Sequence, residues 1–305
     1  QEPQLYHEGR IQAAYRDNDA IEIREIFLRP LKQGEIKIKV DACGICGTDL
    51  LTPESEEDGK GPFGHEMVGR VLEVGPGVKN VAIGQQVAIE SATPCGYCAN
   101  CHDGKQELCT DIQSFFYLGM FGLAEQTIVP AISALPCEDL EAGVATLSEP
   151  LGVAIDLVRL SDITPRSNVL IVGAGTIGLM ALALVKRAGA RCIFVSELSQ
   201  RKARIALAKK YGADKIIDPS ETSISTYKYG CAIDRILVTA PPPVLSSAFE
   251  AASKGAIISF IGIGYGAAGY CNFNANLFHF KKLQLRASFA SPAMYTPMAL
   301  GYLRD

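Results

Sequence analysis

The pattern of apolar and polar positions changes character near Pro165. Before it, from Gln4 to about Val129, the pattern is short, alternating and turn-rich. Residues 35–40 read Glu-Ile-Lys-Ile-Lys-Val, with one apolar face at period 2, and predict a strand. Residues 68–74 and 86–89 predict two more, divided by Gly75-Pro76-Gly77 and Gly84, whose chemistry suits turns. This half predicts an irregular β-rich domain. After Pro165 the rhythm becomes strand–helix–strand. Residues 168–172 form a short apolar run, then come a glycine loop and a helical stretch to about Arg187. Apolar runs at 191–195, 215–217, 233–239, 256–263 and 282–289 continue the series, with helical segments at 200–210 and 244–253. Strands alternating with helices predict a doubly wound parallel sheet, so the fold class is α/β with a second, β-rich domain. The boundary is expected in the helical span 151–160 or at the Thr164-Pro165 break after it.

Composition adds bounds to this picture. At 305 residues the chain exceeds a typical domain of ~100–200 residues, and 48% hydrophobic content suffices for two cores. A net charge of −4 with only mixed charge runs leaves no basic stripe, so a nucleic-acid partner is not expected. The opening Gln-Glu-Pro leads into a polar, strand-like stretch rather than a signal segment. Residues 167–185 and 255–278 are uncharged, but repeated Gly and Asn do not suit a spanning helix. Both are read as buried parallel-sheet material, and no membrane span is expected. Ten cysteines are too few and too unevenly placed for a disulfide scaffold. Four crowd between Cys95 and Cys109, which reads as metal binding in a reducing, cytoplasmic setting.

Gly173-Ala174-Gly175-Thr176-Ile177-Gly178 is a GxGxxG placed directly after a predicted strand and opening a helix, the context a dinucleotide loop requires. Gly173 permits the tight turn, Gly175 lets a pyrophosphate approach the backbone, and Gly178 lets helix and strand pack closely. The helix start, with Thr176 and Ile177, presents free N–H groups to the phosphates. Glu197, at the end of the second strand, is placed to accept hydrogen bonds from the adenosine ribose and to repel a 2′-phosphate, which favours NAD over NADP. Arg201 and Lys202 lie close by, and a basic side chain there could receive a phosphate.

Cys95-x-x-Cys98-x-x-Cys101, followed by Cys109, supplies four thiolates for a tetrahedral Zn²⁺. Four protein ligands saturate the metal, so this zinc is expected to be structural; His102 is not needed to complete the set. A redox Cys-x-x-Cys is the competing reading, and three evenly spaced cysteines plus a fourth fit it poorly.

Gly64-His65-Glu66-Met67-Val68-Gly69 with Gly75, together with Gly44-Ile45-Cys46-Gly47-Thr48-Asp49, resembles the medium-chain zinc alcohol dehydrogenases. The cysteine lobe and the later glycine loop follow in that family's order, so the likeness spans nearly the whole chain. The resemblance implies a GroES-like catalytic domain at 1–152 with a zinc lobe at 95–109, and a Rossmann NAD domain at 153–290. Residues 291–305 would begin a return to the first domain, the chain stopping short of the family's full length. It implies Cys46, His65 and Glu149 (of Ser148-Glu149-Pro150) as ligands of a catalytic zinc, with Glu66 a supporting or exchangeable ligand. A catalytic zinc wants about three protein ligands and one open position, which agrees. Cys43, three residues from Cys46, is the alternative thiolate, read instead as a strand-end core residue. Cys137, Cys192, Cys231 and Cys271 lie in apolar stretches and are read as packing, and neither His7 nor His279 has a ligand-like context.

The implied chemistry is activation of an alcohol by Lewis acidity, with Thr48 taking its proton and hydride passing to nicotinamide. A glutamate as third ligand is similar to the sorbitol and threonine dehydrogenase branch, as is the stretch Leu283-Gln-Leu-Arg-Ala-Ser-Phe289. Two features of sorbitol dehydrogenases are missing. Leu50-Leu51-Thr52 stands where an aromatic is expected, and Ala290-Ser291 where an arginine is; the family's relay histidine is absent from the first of these stretches. The expected substrate is therefore a class, a small hydrophilic secondary alcohol such as a polyol, cyclitol or sugar derivative. An L-threonine-type dehydrogenase is the alternative, and a non-catalytic zinc- and NAD-binding protein is the alternative from another class. A homodimer or homotetramer is expected.

Overall fold

The computed structural model describes residues 9–17, 20–50, 60–114 and 119–305. His7, Leu51 and Thr52 lie outside them. The chain divides into two compact units, one running to Gly152 and taking in Ala290–Asp305, the other Val153–Phe289; the division falls inside the helix Ser148–Leu160.

The first unit is built on a five-stranded antiparallel sheet in the order Ala134–Pro136, Gln86–Ile89, Glu66–Val74, Glu35–Gly44, Gln126–Pro130. The period-2 pattern turns Ile36 and Ile38 inward, where they pack with Met67, Val71, Val87, Ile89 and Val129. Burying each such side chain is worth roughly 1.5–3 kcal/mol. That apolar face pins the register, since a slip of one residue would turn it to water. In this register Cys43 pairs with Met67 and Gly44 with Glu66, so the ends of two long strands bring the Cys46 turn beside His65 and Glu66. A second sheet joins Ala20–Phe27, Arg10–Asp17 and Lys60–Pro62, and a short pair, Ala92–Thr93 with Gln113–Ser114, brackets the cysteine segment.

The second unit is the predicted parallel sheet. Its six strands run Lys215–Ile217, Cys192–Ser196, Asn168–Val172, Arg235–Val238, Ile257–Phe260, Gln284–Ala287. Asn168–Val172 is buried along its whole length, which is why it reads as a continuous apolar run rather than an alternation. The chain goes from this strand outward on one side, through Cys192–Ser196 to Lys215–Ile217, then crosses to Arg235–Val238 on the other. Ligands bind at such switch points, outside the carboxyl ends of the strands.

Several sequence-based expectations need correction. Residues 255–278 are not buried sheet: only Ile257–Phe260 is strand, followed by a loop with a 3₁₀ turn at Gly266–Gly269 and the helix Ala275–Phe280. Tyr270 is 77% exposed, and Phe273 is exposed as well. The run lacks charge, but it also lacks any period that would line an apolar face. Residues 167–185 divide between a strand and the helix Thr176–Arg187. The predicted 233–239, 244–253 and 282–289 elements are shorter, as Arg235–Val238, Leu245–Ala251 and Gln284–Ala287. Among the described residues no helix is long and apolar enough to cross a membrane.

Candidate active site

The Cys46 Sγ, a His65 ring nitrogen and a Glu66 carboxylate oxygen all lie within 4.8 Å of one another, on a half-buried and two buried residues. The loop holding Cys46 is fixed by Asp49. Its Oδ2 accepts from the Cys46 N–H at 2.8 Å, and its own N–H donates to the Cys46 carbonyl at 3.1 Å. Thr48 is half-buried in the same 3₁₀ turn, Gly47–Leu50. Asp49 is itself buried and places Oδ1 3.6 Å from His65 Nδ1. A carboxylate behind a histidine ligand orients the ring and raises its basicity. Gly44 pairs with Glu66 across the two strands, and a Cβ there would collide with the Glu66 carboxylate where it now sits.

Glu149 opens the helix Ser148–Leu160 and stands beside this group rather than in the three-atom cluster. Its Oε1 accepts a 2.7 Å hydrogen bond from Ser91 Oγ. Its charge is felt in the cluster. Burial, and then Glu149, pushes Glu66 up to about 7. Burial works to lower His65, but Asp49 and Cys46 beside the ring and the charge of Glu149 carry it up to about 11. Three carboxylates and a thiol gathered in a largely buried place offer negative charge that a metal cation would balance. The soft thiolate, imidazole and carboxylate set fits zinc. Cys43 is different. Its sulfur packs against Gly64 and Gly122, and burial, with Asp49 next, pushes the thiol up to about 12.

The four cysteines of the lobe also converge, all sulfurs within 4.8 Å of one another. Cys95 and Cys101 sulfurs are 3.9 Å apart, and Cys98 and Cys109 sulfurs 4.0 Å. Tetrahedral zinc–thiolate bonds of ~2.3 Å place sulfurs about 3.8 Å apart. The Cys95 N–H points to Cys109 Sγ and the Cys98 N–H to Cys95 Sγ, each at 3.3 Å. Backbone N–H groups of Thr110 and Cys101 draw Cys98 down to about 5, toward the thiolate a metal needs. The exposed His102 ends the short helix Ala99–His102, and all ten cysteines are free thiols.

In the second unit Gly173 has φ 99°, open to glycine, and a Cβ on Gly178 would strike the Gly173 carbonyl. Gly175 caps the helix Thr176–Arg187 with open space where its side chain would be; Thr176 is exposed and Ile177 half-buried. Glu197 follows the strand Cys192–Ser196. Its Oε2 accepts from the Ala174 N–H at 3.0 Å, tying the carboxylate to the glycine loop, and its Oε1 from the Leu198 N–H at 2.9 Å. The basic group nearest it is neither Arg201 nor Lys202 but Arg204, 3.5 Å away. Lys202 is exposed at the start of its helix. Asp49, Ser91 and Arg204 are the residues sequence reasoning left without a role. Asp49 stood inside a motif already singled out; Ser91 had no signal.

Residues 32–139 match the alcohol dehydrogenase GroES-like domain, and residues 176–300 the zinc-binding dehydrogenase family. L-threonine 3-dehydrogenase of Pyrococcus abyssi is 35% identical over 274 residues, spanning 86% of this chain and 77% of that one. Sorbitol dehydrogenase of Bacillus subtilis is 32% identical over 265 residues, 82% of this chain and 74% of that one. A solved short chain alcohol dehydrogenase from Escherichia coli CFT073, complexed with NADH, superposes with a TM-score of 0.84 at 25% identity, covering 97% of this chain and 88% of that one. The chain belongs to the zinc-dependent alcohol dehydrogenases with a GroES-like domain, and it is an enzyme. The non-catalytic reading falls.

Proposed function

We propose that this enzyme oxidises a secondary alcohol on a small hydrophilic molecule, a polyol, cyclitol or sugar derivative, with NAD as acceptor. The observation that carries the reading is the largely buried Cys46–His65–Glu66 cluster with Glu149 beside it. Here Cys46, His65 and Glu149 hold a catalytic zinc and Glu66 is a supporting or exchangeable ligand. Cys95, Cys98, Cys101 and Cys109 hold a second, structural zinc. Residues 1–152 form the catalytic domain and 153–290 the cofactor domain. The thiols require a reducing compartment, which suits the cytoplasm.

When bound, zinc supplies the Lewis acidity that lowers an alcohol's pKa and NAD supplies the hydride acceptor. The protein's part is positional. Asp49 stands behind the His65 ring, and the Thr48 hydroxyl, in the turn between Cys46 and Asp49, relays the alcohol proton, accepting it at Oγ1 as it passes its own on to the cofactor ribose or water. Gly173, Gly175 and Gly178, with the N–H groups at Thr176 and Ile177, cradle the pyrophosphate. Glu197 accepts from the ribose and disfavours a 2′-phosphate; Lys202 lies at the rim of the same site.

L-threonine is the second reading, favoured by the 35% identity to the Pyrococcus abyssi enzyme. A screen of NADH formation over polyols, cyclitols, sugar acids and L-threonine, run with NAD and NADP in parallel, tests both. Turnover of a polyol or sugar derivative with NAD is expected. Turnover of L-threonine alone moves the assignment to the amino alcohol, and equal use of NADP means that Arg204, Arg201 or Lys202 outweighs Glu197. We also propose a homodimer or homotetramer; the sheet edge at Gln284–Ala287, with Leu285 39% exposed, offers a strand for a second copy to extend.

A further inference from the structure

We propose that Ser91 is a positioning residue for the catalytic metal, its hydroxyl orienting Glu149 as a ligand. This rests on the reading of Glu149 given above. Ser91 Oγ donates to Glu149 Oε1 at 2.7 Å, across 58 positions of sequence, and only 9% of Ser91 is exposed. The donor sits on a stiff piece of backbone. On one side the Glu90 N–H donates to the Ser133 carbonyl at 2.9 Å. On the other Ala92 pairs with Ser114, and its carbonyl accepts from the Ala293 N–H at 2.9 Å. Glu149 lies in the first turn of its helix, with a flexible side chain that could point several ways. One oxygen fixed by Ser91 selects one orientation of the carboxylate beside the Cys46–His65–Glu66 group.

A hydroxyl in this place does for the carboxylate what Asp49 does for His65. Partners of this kind typically change metal affinity by about 10–100-fold when removed. The four-cysteine lobe contains neither residue, so it serves as an internal control in the same molecule.

The experiment loads the full chain with zinc and follows release of each ion to a chromophoric chelator in wild type, Ser91→Ala, Ser91→Gly, Ser91→Thr and Glu149→Gln. Ser91→Ala and Ser91→Gly are expected to release one of the two ions about 10–100-fold faster, with the lobe ion unchanged. Ser91→Thr, which keeps the hydroxyl, should stay within a few-fold of wild type. Faster release in Glu149→Gln but wild-type release in both Ser91→Ala and Ser91→Gly overturns the role of Ser91 while leaving the ligand assignment standing. Wild-type release in Glu149→Gln overturns the ligand assignment itself, and the Ser91 proposal with it. Faster release of both ions together would mark a general loss of structure and also contradict the proposal.

Discussion

Replacing Cys98 by serine is expected to cost the protein its fold in the cysteine lobe, whereas Cys46→Ser should leave a folded, inactive enzyme. The difference follows from what each sulfur is for. The 95–109 segment has little regular structure, only a short helix at Ala99–His102 and a 3₁₀ turn at Gln106–Leu108, so four sulfurs around one ion supply what a core would. Binding free energy at structural zinc sites in small peptides reaches about 10 kcal/mol or more, comparable with the roughly 5–15 kcal/mol stability of a whole domain. Cys46 instead follows a long strand whose apolar residues are packed without it. Its loss removes several kcal/mol of charge stabilisation at the reacting oxygen, about a thousandfold or more in turnover. Thermal melting, proteolysis of the lobe and zinc analysis of both variants check the division. Equal loss of folding in the two would contradict it.

Thr48→Val is expected to reduce turnover by about 10²–10⁴-fold, the usual worth of a positioned group that helps a proton transfer. Valine matches the shape of threonine and lacks only the hydroxyl, so the half-buried site need not repack. Zinc content and NAD affinity should be unchanged, and Thr48→Ser should keep much of the activity. A valine variant within a few-fold of wild type, under conditions where chemistry limits the rate, would remove Thr48 from the proton path and leave Glu66, acting through a water, as the next candidate.

Much of this molecule was legible in its sequence because its strongest signals are local. Three cysteines at fixed spacing, and a glycine loop between a strand and a helix, are short-range patterns that dictate short-range geometry. What escaped notice joins distant parts of the chain. Ser91 meets Glu149 only because a strand end and a helix start converge, and nothing in Glu-Ser-Ala-Thr announces it. Arg201 and Lys202 are closer to Glu197 in sequence, yet Arg204 is the one that reaches its carboxylate. The misread stretch at 255–278 has another cause. Absence of charge is a sum over residues, whereas burial depends on which face each residue occupies, and here Tyr270 and Phe273 face solvent.

Hydride transfer itself can be followed by isotope. A secondary alcohol from the substrate panel, deuterated at its carbinol carbon, would be incubated with the zinc-loaded enzyme and NAD, and the reduced nucleotide weighed by mass spectrometry. One deuterium in each NADH formed, in wild type and not in Cys46→Ser, is the predicted result. NADH that carries no deuterium, or equal transfer in the Cys46→Ser variant, would contradict a zinc-dependent alcohol dehydrogenase centred on Cys46 and His65.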